Sequence, residues 1–181
     1  MRSLRGQLLV AGPGLYDPNF RRTVVLIGEH GEEGAMGVVL NRASEIVVAD
    51  AVPPLAPLVD AEAVVYVGGP VQPQAVVVIA DFVDPTVAEA LVLDSVGFLP
   101  GEIEDAEALG ELHNVRVFAG YAGWAAGQLE EELAERSWLV LPARVSDVFH
   151  PASERLWSEV LRREGGAYAA LATLPDDPRT N

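Results

Sequence analysis

Cysteine is absent from this chain of 181 residues, and so is lysine. Without a thiol there is no disulfide, no thiolate nucleophile and no cysteine-held metal. Without lysine there is no Walker-type phosphate loop. Histidine is scarce: His30, His113 and His150 stand apart, with no H-x-x-x-H or H-E-x-x-H pair, so no metal site and no cofactor are predicted. Glu29, Glu32 and Glu33 around His30 read as solvated acids in a glycine-punctuated loop. None of the serines sits in a G-x-S-x-G elbow. Long apolar runs are missing too. Ala75–Ala80 has the length of a strand, far below the ~18–20 residues that cross a bilayer. Leu8–Ala11 is shorter than the ~7–15 apolar residues of a signal peptide. The expectation is a cytoplasmic protein without membrane contact. Positive charge is also in deficit, with 12 arginines against 27 acids and a formal charge of −15. Such a surface repels a phosphate backbone, which disfavours direct nucleic-acid binding.

What the chain has in excess is valine, 26 residues of it, within a composition that is half hydrophobic. Valine favours strands, and the length fits one domain over 1–181. Loose ends are expected at 1–5 and 175–181. Thr23–Ile27 and Gly37–Asn41, joined by a glycine-bearing loop, predict an antiparallel pair. Gln74–Asp81 is continuous in hydrophobicity and is expected to be a strand buried on both faces. Pro53, Pro54 and Pro57 prevent a long helix. Ile103–His113 predicts a helix, as do Ala143–Phe149 and Ala152–Arg163. Strands dominate the first half and alternate with helices in the second. The fold class is therefore mixed α/β: a curved mixed sheet with flanking helices in one compact domain.

Two places invite a functional reading. Val115–Ala119 predicts a strand and Leu129–Arg136 a helix, so Gly120–Gly127, with Tyr121 and Trp124, would form a corner between them. Its glycines permit a tight bend, and its aromatics either anchor a core or wall a pocket. Glu130, Glu131 and Glu132 would oppose a phosphate there. The second place is a sheet rim. If the two paired strands are antiparallel, Arg22 and Thr23 at the start of one lie beside Asn41 and Arg42 at the end of the other. Two guanidiniums there make a fork for carboxylate or phosphate, or they pair with the chain's own acids, such as Asp17 or Glu130. Thr23 and His30 bound the same strand and stand over ~20 Å apart at ~3.3 Å per residue, which excludes a direct triad.

These segments resemble the YqgE/AlgH family of small bacterial proteins. The resemblance is carried by Gly6-Gln7-Leu8-Leu9-Val10-Ala11, by Asp17-Pro18-Asn19-Phe20-Arg21-Arg22-Thr23 with Val24–Ile27, and by Glu29-His30. It continues through Gly34–Arg42, Gly68-Gly69-Pro70-Val71 and Gly120–Leu133, and so spans nearly the whole chain. Ala43 stands where the family pattern has proline, and Ala125-Ala126 where it has a glycine-bearing step. The resemblance implies a single domain with a flattened, barrel-like mixed sheet, no established activity, and, through the alginate-regulation label, a role in gene expression. The expectation is a binding module for a small ligand or a protein partner, regulating expression indirectly, with Arg22, Thr23, Asn41, Arg42, Tyr121 and Trp124 at its site. The alternatives are a hydrolase-like enzyme using Glu29 or His30 and a DNA-binding regulator, the latter disfavoured by charge.

Overall fold

The computed structural model describes residues 2–101 and 106–174. Strands β1 (Gln7–Ala11), β2 (Val24–Gly31) and β3 (Gly34–Val39) form an antiparallel meander. The β2–β3 turn is Glu32-Glu33, so the hairpin is tighter than the loop expected between Ile27 and Gly37, both strands extending into it. A short β4 (Ala43–Val47) leads into α1 (Val48–Ala51) and a 3-10 turn at Pro53–Leu58, where the three prolines stop anything longer. Then come β5 (Val64–Val67), β6 (Val71–Phe82), β7 (Ala90–Leu93), β8 (Val96–Phe98) and the long β9 (Leu112–Ala125). Helix α2 (Gln128–Ala134), β10 (Trp138–Pro142), α3 (Val145–Val148), α4 (Leu156–Glu164) and α5 (Gly166–Leu171) complete the described chain. Of the helix predicted over 103–113, residues 103–105 lie outside the described residues. The remainder is a 3-10 turn at Ala106–Leu109, ended by Gly110 at φ +69, after which β9 begins at Leu112.

The strand order is β10-β1-β2-β3-β9-β6-β8-β7, with β4 and β5 joined to the side of β9. Every pairing is antiparallel except β5 with β9, so the sheet is mixed, as predicted. Its path is open but strongly curved. Leu8 and Leu26 near one end share a core cluster with Val92 and Val96 at the other. The carbonyl of Val92 approaches so closely that a Cβ at Gly6 would sit 2.6 Å from its oxygen.

Burial of both faces explains the unbroken apolar runs of β1 and β2. Leu8, Val10, Val24 and Leu26 pack inward against Leu156, Trp157, Val160 and Leu161 of α4. Leu9, Ala11, Val25 and Ile27 face the other way, against Leu129 of α2 and Trp124 and Trp138. The same expectation does not hold for residues 74–81. Only Ile79 and Ala80 are fully buried there, and Val76 is 48% exposed. The cover supplied by Val48 and Leu55 reaches the row of Val65, Val117 and Val78. In the next row Ala119 still packs against this cluster, and Val76 opposite it is left outside.

The chain crosses β9 between β5 and β6. Gly68 hydrogen-bonds to the Ala119 carbonyl, and Gly69 then passes so close that a Cβ would lie 2.2 Å from the Tyr121 carbonyl carbon. Gly120 has φ +73 and would put a Cβ 2.5 Å from the Gly69 oxygen. The glycines of the Gly68-Gly69-Pro70-Val71 segment and Gly120 thus serve a close backbone crossing. Beside it the β6–β9 register slips between Val71 and Val76, which accommodates Pro73 outside the regular ladder.

Candidate functional site

The rim of β2 and β3 gathers where their antiparallel register directs. Pro18 and an Asp17 side chain that accepts the Asn19 amide (2.8 Å) turn the chain before β2. Asn41 substitutes for a ladder rung: its Oδ1 accepts the Val24 amide (2.9 Å) and its Nδ2 donates to the Arg22 carbonyl (2.8 Å). Thr23 is fully buried, and its hydroxyl donates to the Phe20 carbonyl (2.7 Å). Arg42 donates through Nη1 to the Asn19 carbonyl (2.7 Å) and through Nη2 to that of Arg21 (3.1 Å). The Arg22 guanidinium lies 4.5 Å from the centre of the Trp157 ring and donates to the Leu174 carbonyl. Burial draws the Arg42 guanidinium below its ordinary pKa, and the negative charge of Asp17 opposes that shift.

Arg22, Thr23, Asn41 and Arg42 are therefore neighbours, and the contacts above direct them largely at main-chain carbonyls. Of the acids expected as partners, Asp17 acts on Arg42 through its field, while Glu130 is held by His30.

Tyr121 and Trp124 do not sit in a corner. β9 runs on to Ala125, and the bend is confined to Ala126-Gly127, where Gly127 has φ +80. The predicted corner fails because Gly120 and Gly123 are accommodated within the strand, one at the crossing and the other beside Val71 and Tyr121. Three residues apart on a strand, the two aromatics point to opposite faces. Tyr121 packs on the cluster under α4, and Trp124 joins Phe20 and Trp138 on the other side. There, Glu132 of α2 accepts the indole N–H of Trp124 (3.2 Å) and of Trp138 (3.0 Å), and Gln128 bonds its second oxygen (2.9 Å). This carboxylate fastens α2 to the sheet.

His30 is similarly committed. Its Nδ1 accepts the Leu4 amide (2.9 Å), so Nε2 carries the proton and donates to Glu130 (2.7 Å). That bond, first among the causes, lowers the pKa of the Glu130 carboxyl. The imidazole is 3% exposed, whereas Glu29 beside it is exposed. Among the described residues no group of three or more His, Asp and Glu could hold a metal ion.

A groove of about 570 Å³ opens where β5 separates from β9. Leu112–Val117 of β9 lie on one side, Pro57–Asp60 and Glu62–Val64 on the other, with Tyr66 and Phe149 also lining it. β5 pairs with β9 only at Tyr66/Phe118 and Val67/Ala119, which closes the groove at that end. Because the Ala119 carbonyl accepts from Gly68, alternation turns the main-chain groups of Val117, Val115 and His113 to the same edge. β6 occupies the opposite edge, and no described strand lies beside His113 and Val115 on this one. Near the closed end, the half-buried Arg116 guanidinium lies 4.3 Å from the centre of the Tyr66 ring. Its Nη1 donates to the carbonyls of His150 (3.2 Å) and Val148 (3.4 Å). Burial lowers its pKa, against the pull of Tyr66. The exposed acids Asp60 and Glu62 stand toward the open end.

Residues 8–169 match the model of a family described as AlgH-like. The chain belongs to the AlgH-like family. A UPF0301 protein of Streptomyces avermitilis is 44% identical over 99% of this chain and 96% of its own length. The crystal structure of a protein from Corynebacterium diphtheriae superposes with a TM-score of 0.86 at 32% identity, covering 96% of this chain and 93% of that one. The solution structure of AlgH from Pseudomonas aeruginosa gives 0.71 at 34% identity, covering 96% and 95%. The resemblance read from the motifs is thereby confirmed, and these names assign no specific function. In this AlgH-like chain sequence reasoning gives the groove residues Tyr66 and Arg116 no role and takes His113 only as an isolated histidine. One signal was available: Arg116 is a lone charge within Val115–Ala119, an apolar strand where a cation needs partners.

Proposed function

We propose that this AlgH-like protein acts by binding, and that it holds an anionic group of a small ligand or a protein partner in the β5–β9 groove. The observation that carries this reading is Arg116. Its guanidinium is stacked on Tyr66 and tethered at Nη1 by two carbonyls, so a planar cation is fixed in a groove near its closed end. Partial desolvation strengthens its attraction for an anion. In the same reading Arg22, Thr23, Asn41 and Arg42 fix the 17–22 loop, Trp124 seats α2, and Tyr121 packs against the inner core. An influence on gene expression would pass through the bound partner, since a formal charge of −15 opposes contact with a phosphate backbone.

Thermal melting in the presence of acetate, succinate or inorganic phosphate tests the proposal. At least one of these anions should raise the melting temperature of the wild type. Arg116→Met should lose that response and Arg116→Lys should keep part of it. An equal response in Arg116→Met would overturn the assignment. A hydrolase reading built on Glu29 or His30 has less support. A general base needs a free lone pair near its substrate, and the Nδ1 lone pair of His30 already accepts the Leu4 amide. Turnover lost in His30→Ala but retained in Arg116→Met would reverse this preference.

A further inference from the structure

We propose that the occupant of the β5–β9 groove is the free C-terminal segment of a partner protein, added as a strand along β9 with its carboxylate at Arg116. This rests on the Arg116 reading above and specifies its ligand. An unpaired strand edge is a template for another extended chain, because it offers main-chain donors and acceptors at the ladder spacing. Among the described residues the edge without a strand runs from His113 to the Val117 amide, about 13 Å at ~3.3 Å per residue, room for about four residues of an added strand. It is recessed in a groove, so it suits a single extended chain better than the flat edge of another sheet.

The closed end decides which part of a polypeptide fits. β5 takes over the β9 edge at Phe118 and Ala119, so a chain laid in the groove cannot continue past that point and must terminate there. The terminus meets Arg116, which favours a carboxylate and repels an amine. With the carboxylate at that end, the occupant runs parallel to β9. Its upstream residues pass Asp60 and Glu62, which precede β5 and therefore lie toward the Leu112–Asn114 end. Those acids favour lysine or arginine a few residues before the terminus. The partner is thus an extended C-terminal tail with basic residues upstream of its terminal carboxylate.

The probe is a fluorescent hexapeptide, Lys-Thr-Lys-Val-Thr-Val, with a free C-terminus, compared with its C-terminal amide and with an analogue N-methylated at alternate residues. Anisotropy should show saturable binding of the free acid, and amidation or N-methylation should each weaken it about tenfold or more. Bound peptide should also slow hydrogen exchange of the His113 and Val115 amides. If amidation weakens binding and N-methylation does not, the added strand is wrong while the anion site at Arg116 stands. If N-methylation weakens binding and amidation does not, the terminal carboxylate is wrong. Absence of binding, or binding unchanged in Arg116→Met, overturns the inference; a surviving Arg116-dependent shift with succinate would then leave the simpler site intact.

Discussion

At the scale of single residues, two arginines whose neighbourhood was legible turned out to have partners that were not. Antiparallel pairing of β2 and β3 follows from two valine-rich runs and the glycines between them, and it brings Arg22 beside Asn41 and Arg42. What those cations touch depends on how residues 17–22 coil, and side-chain types do not encode that. The loop turns the carbonyls of Asn19 and Arg21 toward Arg42, so its hydrogen-bond partners are main-chain oxygens, and of the expected acids Asp17 reaches it only through its field. Hydrogen bonds involving a charged group contribute ~1.5–3 kcal/mol each where they exclude water, and less where exposed. Arg42→Met should therefore cost about 1–3 kcal/mol in denaturant unfolding, with faster amide exchange at Phe20 and Arg21. Unchanged stability would show that the guanidinium is not needed to hold the loop, and the rim would regain standing as a ligand fork. Arg116 was legible in a different sense. A charge within an apolar strand announces a partner, yet only the fold reveals that the partners are Tyr66 and the carbonyls of Val148, the last residue of α3, and His150.

At the scale of elements, sequence periodicity located the centres of β2, β3, β6 and β9 and misjudged both ends of β9, which runs from Leu112 to Ala125. Glycines at 120, 123 and 127 read as one bend, although each has a different task. Gly120 lets β9 pass under the Gly68-Gly69 crossing, Gly123 lies beside Val71, and Gly127 alone makes the turn into α2. The distinction is tertiary, since the crossing segment lies some fifty residues upstream. It also gives a controlled comparison, because Gly120 and Gly127 share nearly the same backbone angle, φ +73 and φ +80. Alanine at either position pays the left-handed penalty of ~1–2 kcal/mol. At Gly127 nothing lies within 4 Å of the added Cβ, whereas at Gly120 it meets the Gly69 oxygen at 2.5 Å. Gly120→Ala should therefore exceed Gly127→Ala by a further ~1–3 kcal/mol, the usual cost of overpacking. Equal losses in denaturant melts would mean that the crossing yields without strain.

At the scale of the whole molecule, the mixed sheet, flanking helices and single domain followed from composition and the order of elements, but the curvature did not. That curvature places Leu8 and Val96 in one core, and nothing local in either strand foretells it. Charge acts at this scale as well. A formal charge of −15 leaves the folded state with more repulsive than attractive long-range pairs, and compaction brings them closer. Salt shortens the screening distance from ~30 Å at 0.01 M to ~8 Å at 0.15 M, which weakens repulsion across the molecule. Short, partly buried pairs are screened much less. Arg163 and Asp147 are 2.7 Å apart, with the Asp147 side chain 3% exposed, and this bond raises the Arg163 pKa. The melting temperature should accordingly rise as sodium chloride is increased over that range at pH 7. The rise should flatten above ~0.15 M, where the screening distance is already short compared with the molecule. A steady fall would mean that attractive surface pairs dominate, and that the acidic excess is arranged around the arginines more closely than the contacts described above imply.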